Sequence, residues 1–365
     1  MNRRVFGFPG RYVQGPGAIA ALPALLADLG VTRPGLVVDP FLAETLGRRL
    51  LVDLAGAGFP AEMAVFGGEC TKAEIERVAA SLLARGADGI VVAGGGKAID
   101  TAKGVAKAGG LRLVVAPTIA SNDSPTSRLI VLYDENHRIL GVERLARNPD
   151  AVIVDTALIA AAPVRFFRAG IGDALSKAFE VRACVEAGGS NFFDGRSPRT
   201  ALILAEACLE TLRGHGEAAV AAVLRGAPDE AVEAVVEATV LMSGLAFESG
   251  GLSIAHALTR GFSAEPAYRH ALHGEVVGFG TVVQLVADPA TAGRAVDIAR
   301  FARRLGLPVT LAEIGGDAGD GEALLRIGAL TCAAPYIGNF PVRLEPPAVA
   351  AAIRAADGIG RAAAA

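Results

Sequence analysis

Gly89-Ile-Val-Val-Ala-Gly-Gly-Gly-Lys-Ala-Ile-Asp-Thr-Ala-Lys103 is the stretch whose reading decides the fold. Its first part, Gly89–Ala93, is a short continuous apolar run, as a strand buried on both faces of a parallel sheet demands. The triple glycine Gly94–Gly96 lets the backbone turn tightly and lets an anionic group come close. A helix opening at Lys97 then aims unpaired N–H groups at that group. The spacing is neither G-x-x-x-x-G-K-[ST] nor G-x-G-x-x-G with an acid about twenty residues on, so nucleoside triphosphate binding is disfavoured. A plain strand–helix corner is the alternative. The strand–turn–helix context and the polar face Asp100/Lys103 favour the phosphate site.

The same alternation extends to both sides. Towards the N-terminus, Arg11–Gly17 holds a short strand, and Ala18–Gly30 a helix with Ile19, Leu22, Leu25, Leu26 and Leu29 on one face. Gly35–Asp39 is a second buried strand. Asp39 ends it, where side chains of an open α/β sheet face the ligand crevice. A carboxylate there accepts hydrogen bonds from a ribose diol and repels a 2′-phosphate; it is equally placed to cap a helix over Phe41–Leu51. Glu62–Phe66 is a further strand, and Thr71-x-x-Glu74 a capping box opening the next helix. Beyond the glycines, strand Leu113–Ala116 leads into Pro117-Thr-Ile-Ala-Ser-Asn-Asp-Ser-Pro-Thr-Ser127, a loop crowded with hydroxyls around Asp123. Its place at a strand's carboxyl end makes it a candidate substrate loop. Leu129–Tyr133 and Ala151–Asp155 are expected to complete the sheet.

After about residue 160 the strand signals stop and helical patterns take over, at Arg168–Ala187, Pro198–Gly214, Asp229–Phe247, Gly293–Leu305, Gly321–Ala334 and Pro346–Ala356. The chain divides into an α/β half, 1–160, and an all-helical half, 161–365, with a frayed tail expected at Ala362–Ala365. The helical half carries His256, in an Ala-rich segment, and His270 and His273, spaced one helical turn apart. Imidazoles gathered in apolar surroundings suit a borderline divalent ion such as zinc; hydrogen-bonded core histidines are the plain alternative. Asp173, early in the Arg168–Ala187 pattern, is either a helix cap or a third ligand.

Composition narrows the function. The 365 residues are 52% hydrophobic and 20% charged, with a net charge of −3 and no basic tract, which argues against nucleic acid as a partner. The longest uncharged runs, Tyr12–Ala27 and Ile327–Val342, each hold two prolines and are not expected to span a membrane. The N-terminus has no apolar core of a signal peptide. Cys70, Cys184, Cys208 and Cys332 form no C-x-x-C pair, so reduced thiols and a cytoplasmic location are expected.

With these pieces named, the chain resembles the iron-containing alcohol dehydrogenase family, and within it the zinc-dependent branch that oxidises polyols. The matching stretches are GGGKAIDTAK at Gly94–Lys103, APTIASNDSPTS at Ala116–Ser127, NPDAVIVDT at Asn148–Thr156, GIGDALSKAFE at Gly170–Glu180, LMSGLAFESGGLSIAHAL at Leu241–Leu258 and HGE at His273–Glu275. The resemblance implies a dinucleotide-binding α/β domain followed by an all-α metal-binding domain, a fold shared with dehydroquinate synthase. It implies zinc, with iron the other metal, held by Asp173, His256 and His273, which with Asp123 contact the substrate. NAD is implied against Asp39, Gly94, Gly95, Gly96, Lys97, Asp100, Thr118, Ser121, Ser127, Leu129 and Tyr133. The implied reaction is hydride transfer between NAD and a small polyol, glycerol to dihydroxyacetone foremost, by a homo-oligomer ranging from dimer to octamer. Two departures stand out: Lys177 where many members have a fourth, histidine ligand, and Asn122 and Ser124 flanking Asp123 where the polyol branch has Thr and Ala. A carbon–oxygen lyase or a phosphopolyol dehydrogenase of the same fold would need lysines and arginines that the Ala116–Ser127 loop lacks. His270 is the rival of His273 as ligand, and Gly274-Glu275 after His273 favours the latter.

Overall fold

The computed structural model describes residues 3–364. These form two compact units, one of residues Phe8–Ala120 and Ser124–Ala162, the other of residues 3–7, Ser121–Asp123 and 163–364. No helix of the described residues is long and apolar enough to cross a membrane.

The first unit is built on a parallel six-stranded sheet. Its strands are β1 (Tyr12–Gly15), β2 (Pro34–Val38), β3 (Glu62–Val65), β4 (Gly89–Gly94), β5 (Arg112–Pro117) and β8 (Ala151–Asp155). They are connected by α1 (Leu22–Asp28), α2 (Arg48–Gly56), α3 (Lys72–Leu83) and α4 (Gly96–Gly109), with α5 (Thr156–Ala161) at the end. Strands β2, β4 and β8 are buried along their whole length, which is why they read as unbroken apolar runs. One face of the sheet packs Leu36, Val38, Val91, Ala93, Val114 and Ile153 against Leu22, Leu26, Leu46 and Leu50.

The strand order is β1-β8-β5-β4-β2-β3. From β2 the chain moves outward to β3, then returns to lay β4 on the other side of β2. The direction of winding reverses there, so the topological switch point lies between the carboxyl ends of β2 and β4, where open α/β sheets bind ligands.

Leu129–Tyr133 does not complete this sheet. As β6 it pairs antiparallel with β7 (Ile139–Arg144) in a separate two-stranded ribbon. The turn between them is closed by the Asp134 carboxylate, which accepts from the N–H groups of Asn136 and Arg138, and by His137 at φ 64°. The expected capping box at Thr71 is half realised. Thr71 Oγ1 accepts from the Glu74 N–H at 3.1 Å, but the Glu74 carboxylate turns to the Gly67 N–H and to Arg77.

The second unit is helical: α6 (Val164–Leu175), α7 (Lys177–Glu186), α8 (Arg199–Leu224), α9 (Glu230–Val236), α10 (Ser243–Gly250), α11 (Ile254–Ala264), α12 (His273–Ala287), α13 (Ala295–Arg304), α14 (Gly321–Cys332) and α15 (Pro346–Ala364). Two patterns that look continuous in sequence are interrupted. Arg168–Ala187 divides at Ser176, and Asp229–Phe247 contains a π-helical stretch, Glu237–Met242, directly before α10. The expected frayed tail is instead the last turn of α15, with Ala365 outside the described residues.

Helices α6 and α12 meet closely, and glycine makes this contact possible. A Cβ on Gly274 would lie 1.8 Å from the Ala169 carbonyl oxygen, and one on Gly172 would lie 2.3 Å from that of Gly274. Any side chain at either position would push the two backbones apart. The glycine of the HGE motif is therefore a packing residue that sets where His273 stands.

Candidate functional site

Asp173, His256 and His273 converge in the helical unit from α6, α11 and the first position of α12. One ligand atom from each lies within 4.8 Å of the others. His256 Nε2 is 3.1 Å and His273 Nε2 3.9 Å from Asp173 Oδ1, and the two rings are 5.3 Å apart between centroids. Two atoms bound to one zinc at about 2.1 Å each can be at most about 4.2 Å apart, so both separations are within a metal's span. Asp173 Oδ2 is buried with no hydrogen-bond partner among the described residues. Burying such an oxygen is costly unless something else binds it, and a cation is what its charge calls for. The donor set, two imidazoles and a carboxylate, fits zinc and is also open to iron.

His270 does not join them. Its Nε2 accepts from Arg269 Nε, and its carbonyl oxygen from Arg165. The one-turn spacing between His270 and His273 is not helical here, because α12 begins only at His273. Arg165 also grips both oxygens of Glu275, which accepts from the Leu272 N–H at 2.8 Å and caps the start of α12. The acid of the HGE motif thus anchors the helix end that carries His273.

Behind His256 stands Glu180, fully buried on α7. Its Oε2 is 2.5 Å from His256 Nδ1, while Oε1 accepts from the backbone N–H groups of Ser253 and His256. With Nδ1 engaged by a carboxylate, Nε2 is the nitrogen offered to a metal, the arrangement found behind most metal-bound histidines. Burial alone would push His256 down, but the Glu180 charge raises it, to about 9. Glu180 is itself held below the ordinary carboxylate range, burial being outweighed by His256. His273, whose side chain stays 38% exposed, is pushed down by partial loss of solvent, with the His256 and Lys177 charges adding to this against Asp173.

Lys177 is also fully buried. Its Nζ is 2.6 Å from Asp173 Oδ1, 2.9 Å from the Asp173 carbonyl oxygen, 3.2 Å from Asp123 Oδ2 and 3.4 Å from His256 Nε2. Burial opposes its charge, and Asp123, Asp173 and Glu180 outweigh burial and keep it protonated. Asp123 also accepts a 2.6 Å hydrogen bond from Ser243 Oγ, on the first residue of α10 after the π-helical stretch. Burial and the nearby Asp173 charge raise Asp123, against Lys177 and Ser243; Asp173, despite its own burial, is held low by Lys177 and both imidazoles. Glu180 and Ser243 were not singled out in the sequence. Glu180 had a signal, since it follows Asp173 by seven positions in GDALSKAFE; Ser243 had none.

In the α/β unit, Asp39 and the glycine turn flank the switch point. The Asp39 N–H donates to the Ala93 carbonyl oxygen at 3.0 Å, and a Cβ on Gly94 would be 3.5 Å from the Asp39 Cβ. Asp39 is partly exposed and does serve as a cap, but the Phe41 N–H takes only one of its oxygens. Helix α4 has Gly95 as its N-cap residue, so no side chain caps it. A Cβ on Gly94 would lie 2.8 Å from that of Ala98, and one on Gly95 2.8 Å from Ile119 Cδ1. Bare backbone and uncapped N–H groups beside a carboxylate fit the pyrophosphate and ribose of a dinucleotide.

Thr118 donates its N–H to the Gly94 carbonyl oxygen, which brings it to the same turn. Ser121, grouped with the helical unit, and Tyr133 are partly exposed. The Lys97 ammonium lies 2.6 Å from Glu69 Oε2 and 4.8 Å from the centre of the Tyr133 ring, and His137 Nδ1 contacts the same Glu69 oxygen. Asp100, Ser127 and Leu129 are buried and serve to tie α4 to β6. Lys103 Nζ donates to Asp100 Oδ1, Ser127 Oγ and the Leu129 carbonyl oxygen, while Asp100 Oδ2 accepts from the Val131 N–H.

The family described as iron-containing alcohol dehydrogenase matches residues 9–156. The chain is 41% identical to the glycolaldehyde reductase of Halobacterium salinarum and 40% identical to the glycerol dehydrogenase of Citrobacter freundii, each over 98% of both chains. Among solved structures, a probable glycerol dehydrogenase from Sinorhizobium meliloti superposes with a TM-score of 0.93 at 39% identity, covering 99% of this chain and 100% of that one. The glycerol dehydrogenase of Schizosaccharomyces pombe gives 0.92 at 33% identity, covering 100% and 92%. Sheet, glycine turn and Asp-His-His cluster thus agree with sequence kinship, and the chain belongs to the iron-containing alcohol dehydrogenase family. It is an oxidoreductase acting on CH–OH groups.

Proposed function

We propose that the protein oxidises a vicinal diol, glycerol foremost, to the α-hydroxy carbonyl compound with NAD as hydride acceptor, and runs the reverse reduction. The observation that carries this is the pairing of the Asp173–His256–His273 cluster with a second buried carboxylate, Asp123, joined to it through Lys177. When bound, a divalent ion such as zinc supplies a Lewis acid that eases ionisation of the alcohol, and NAD supplies the hydride acceptor. Asp173, His256 and His273 hold the ion, with Glu180 fixing the His256 tautomer. Asp39 and Gly94–Gly96 hold the dinucleotide, and Asp39 disfavours a 2′-phosphate.

Asp123 accepts the hydrogen bond of the hydroxyl next to the reacting carbon. Ser243 and Lys177 fix its orientation, so a diol is aligned by two contacts where a simple alcohol has one. Glycolaldehyde presents the same pair of neighbouring oxygens for the reverse direction and belongs in the same substrate class. Its four free cysteines are in keeping with work in the cytoplasm, and its kinship with the family is the ground for reading it as a homo-oligomer.

The test is a comparison of glycerol, 1,2-propanediol and 1-propanol with the zinc-loaded protein and NAD. Asp123→Ala should lower kcat/KM for the diols by about tenfold more than for 1-propanol, the value of one hydrogen bond to a charged group. Equal losses on all three substrates would remove Asp123 from substrate recognition.

A further inference from the structure

We propose that Lys177 is a built-in counter-cation of the metal centre: it takes the place of the metal's charge while the site is empty and limits how tightly the metal is held. The inference rests on the metal-site reading above and adds to it a second role for the side chain that orients Asp123.

Three carboxylates, Asp123, Asp173 and Glu180, are buried together around two imidazoles. Carboxylates removed from water need nearby positive charge. Besides His256, which lies against Asp173 and Glu180, Lys177 touches two of them, Asp123 and Asp173, and it reaches Asp173 twice, at Oδ1 and at the carbonyl oxygen. It also stands 3.4 Å from His256 Nε2, a nitrogen the metal requires. An ammonium in this position does two things at once. It neutralises Asp173 and Asp123 when no ion is present, so the empty pocket stays folded. It also competes for Asp173 and repels a divalent ion across a short distance in a site with little water to screen the charge.

A rival explanation is purely structural. Asp173 lies near the carboxyl end of α6, and both Ser176 Oγ and Lys177 Nζ donate to its carbonyl oxygen. As a helix cap alone, Lys177 would support the fold equally with and without metal, and its loss would not tighten metal binding.

The experiment uses the full-length protein stripped with a chelator, titrated with zinc against a competing chelator, and melted with and without zinc. Metal-free Lys177→Met should melt well below metal-free wild type. Zinc should raise its Tm by more than it raises that of wild type, and its Kd for zinc should fall by about tenfold or more. Lys177→Arg, which keeps the charge, should stay close to wild type in zinc affinity. A Lys177→Met protein that folds only in the presence of zinc would be the same result in its extreme form.

The proposal is overturned if Lys177→Met binds zinc no more tightly than wild type, if it loses the same Tm in both states, or if it fails to fold even with zinc. Failure of the underlying reading is separate and visible in the same titration, as a wild-type protein that binds no zinc.

Discussion

Replacing Gly274 by alanine should detach His273 from the metal site while leaving its imidazole chemically intact. The added Cβ would stand 1.8 Å from the Ala169 carbonyl oxygen and 2.5 Å from its carbonyl carbon. A carbon and a carbonyl oxygen approach to about 3.3 Å at closest, so α12 must retreat from α6 by about 1.5 Å. Both obstacles are helix backbone, and neither can swing aside as a side chain would. His273 and Asp173 adjoin the two glycines of this contact, Gly274 and Gly172. Their ligand atoms, now 3.9 Å apart, would separate to as much as about 5.4 Å if the retreat runs along the line between them, and a few tenths of an ångström in that direction already exceeds the roughly 4.2 Å that one zinc can bridge. The loss of one ligand of three should weaken zinc binding by more than the 10- to 100-fold typical of a change behind the ligands. Overpacking should cost about 1–3 kcal/mol of stability. Gly278→Ala is the control on the same helix: its Cβ would be 3.3 Å from the Gly172 Cα, which a shift of a few tenths of an ångström relieves. The assay is a zinc competition titration with a thermal melt for each variant. Wild-type zinc affinity in Gly274→Ala, or an equal loss in Gly278→Ala, would refute the claim that this glycine sets the ligand spacing.

Two further outcomes test the surroundings of the ligands and the coenzyme site. Glu180→Gln keeps an oxygen for the N–H groups of Ser253 and His256 but removes the charge facing His256 Nδ1; zinc affinity should drop by about 10- to 100-fold with little change in fold, and an unchanged Kd would deny Glu180 its orienting role. Asp39→Gly should lower kcat/KM with NAD and raise it with NADP, because the carboxylate that meets a ribose diol and repels a 2′-phosphate is gone; a coenzyme preference equal to wild type would show that Asp39 only caps the turn at Phe41.

The glycine turn was legible in sequence because its three requirements are local: a two-sided strand before it, glycines within it and a helix after it. Partner choice between strands is not local, and that is where the reading of Leu129–Tyr133 failed. An apolar run announces a strand without naming its neighbour. The weakly alternating Ile139–Arg144 was passed over, although its antiparallel pairing with β6 is set by the Asp134–His137 turn. Helix breaks were missed for a similar reason. Apolar spacing runs across Ser176 and across Glu237–Met242 with little interruption, and what bends the chain there is the contact each break permits. Lys177 and Ser243, the residues just after those breaks, are the ones that reach Asp123.

Asp173 shows why the centre of the site could be recognised yet not placed. Read from sequence, it sits early in a helix, where an acid is favoured by the dipole. In the structure α6 begins at Val164, and Asp173 lies two residues from its end, where the dipole and the burial both oppose a negative charge. A residue that breaks a local rule needs a compensating gain elsewhere. Here the Lys177 ammonium and two imidazoles surround one of its oxygens, and the other is left buried without a hydrogen-bond partner among the described residues. Gly172, unfavourable inside a helix by about 1 kcal/mol relative to alanine, and Gly274 in the first turn of α12 serve the same arrangement by letting α12 come close enough to deliver His273. Read individually these are defects of a helical domain. Together they answer a single requirement, donor atoms from three helices brought within the reach of one divalent ion.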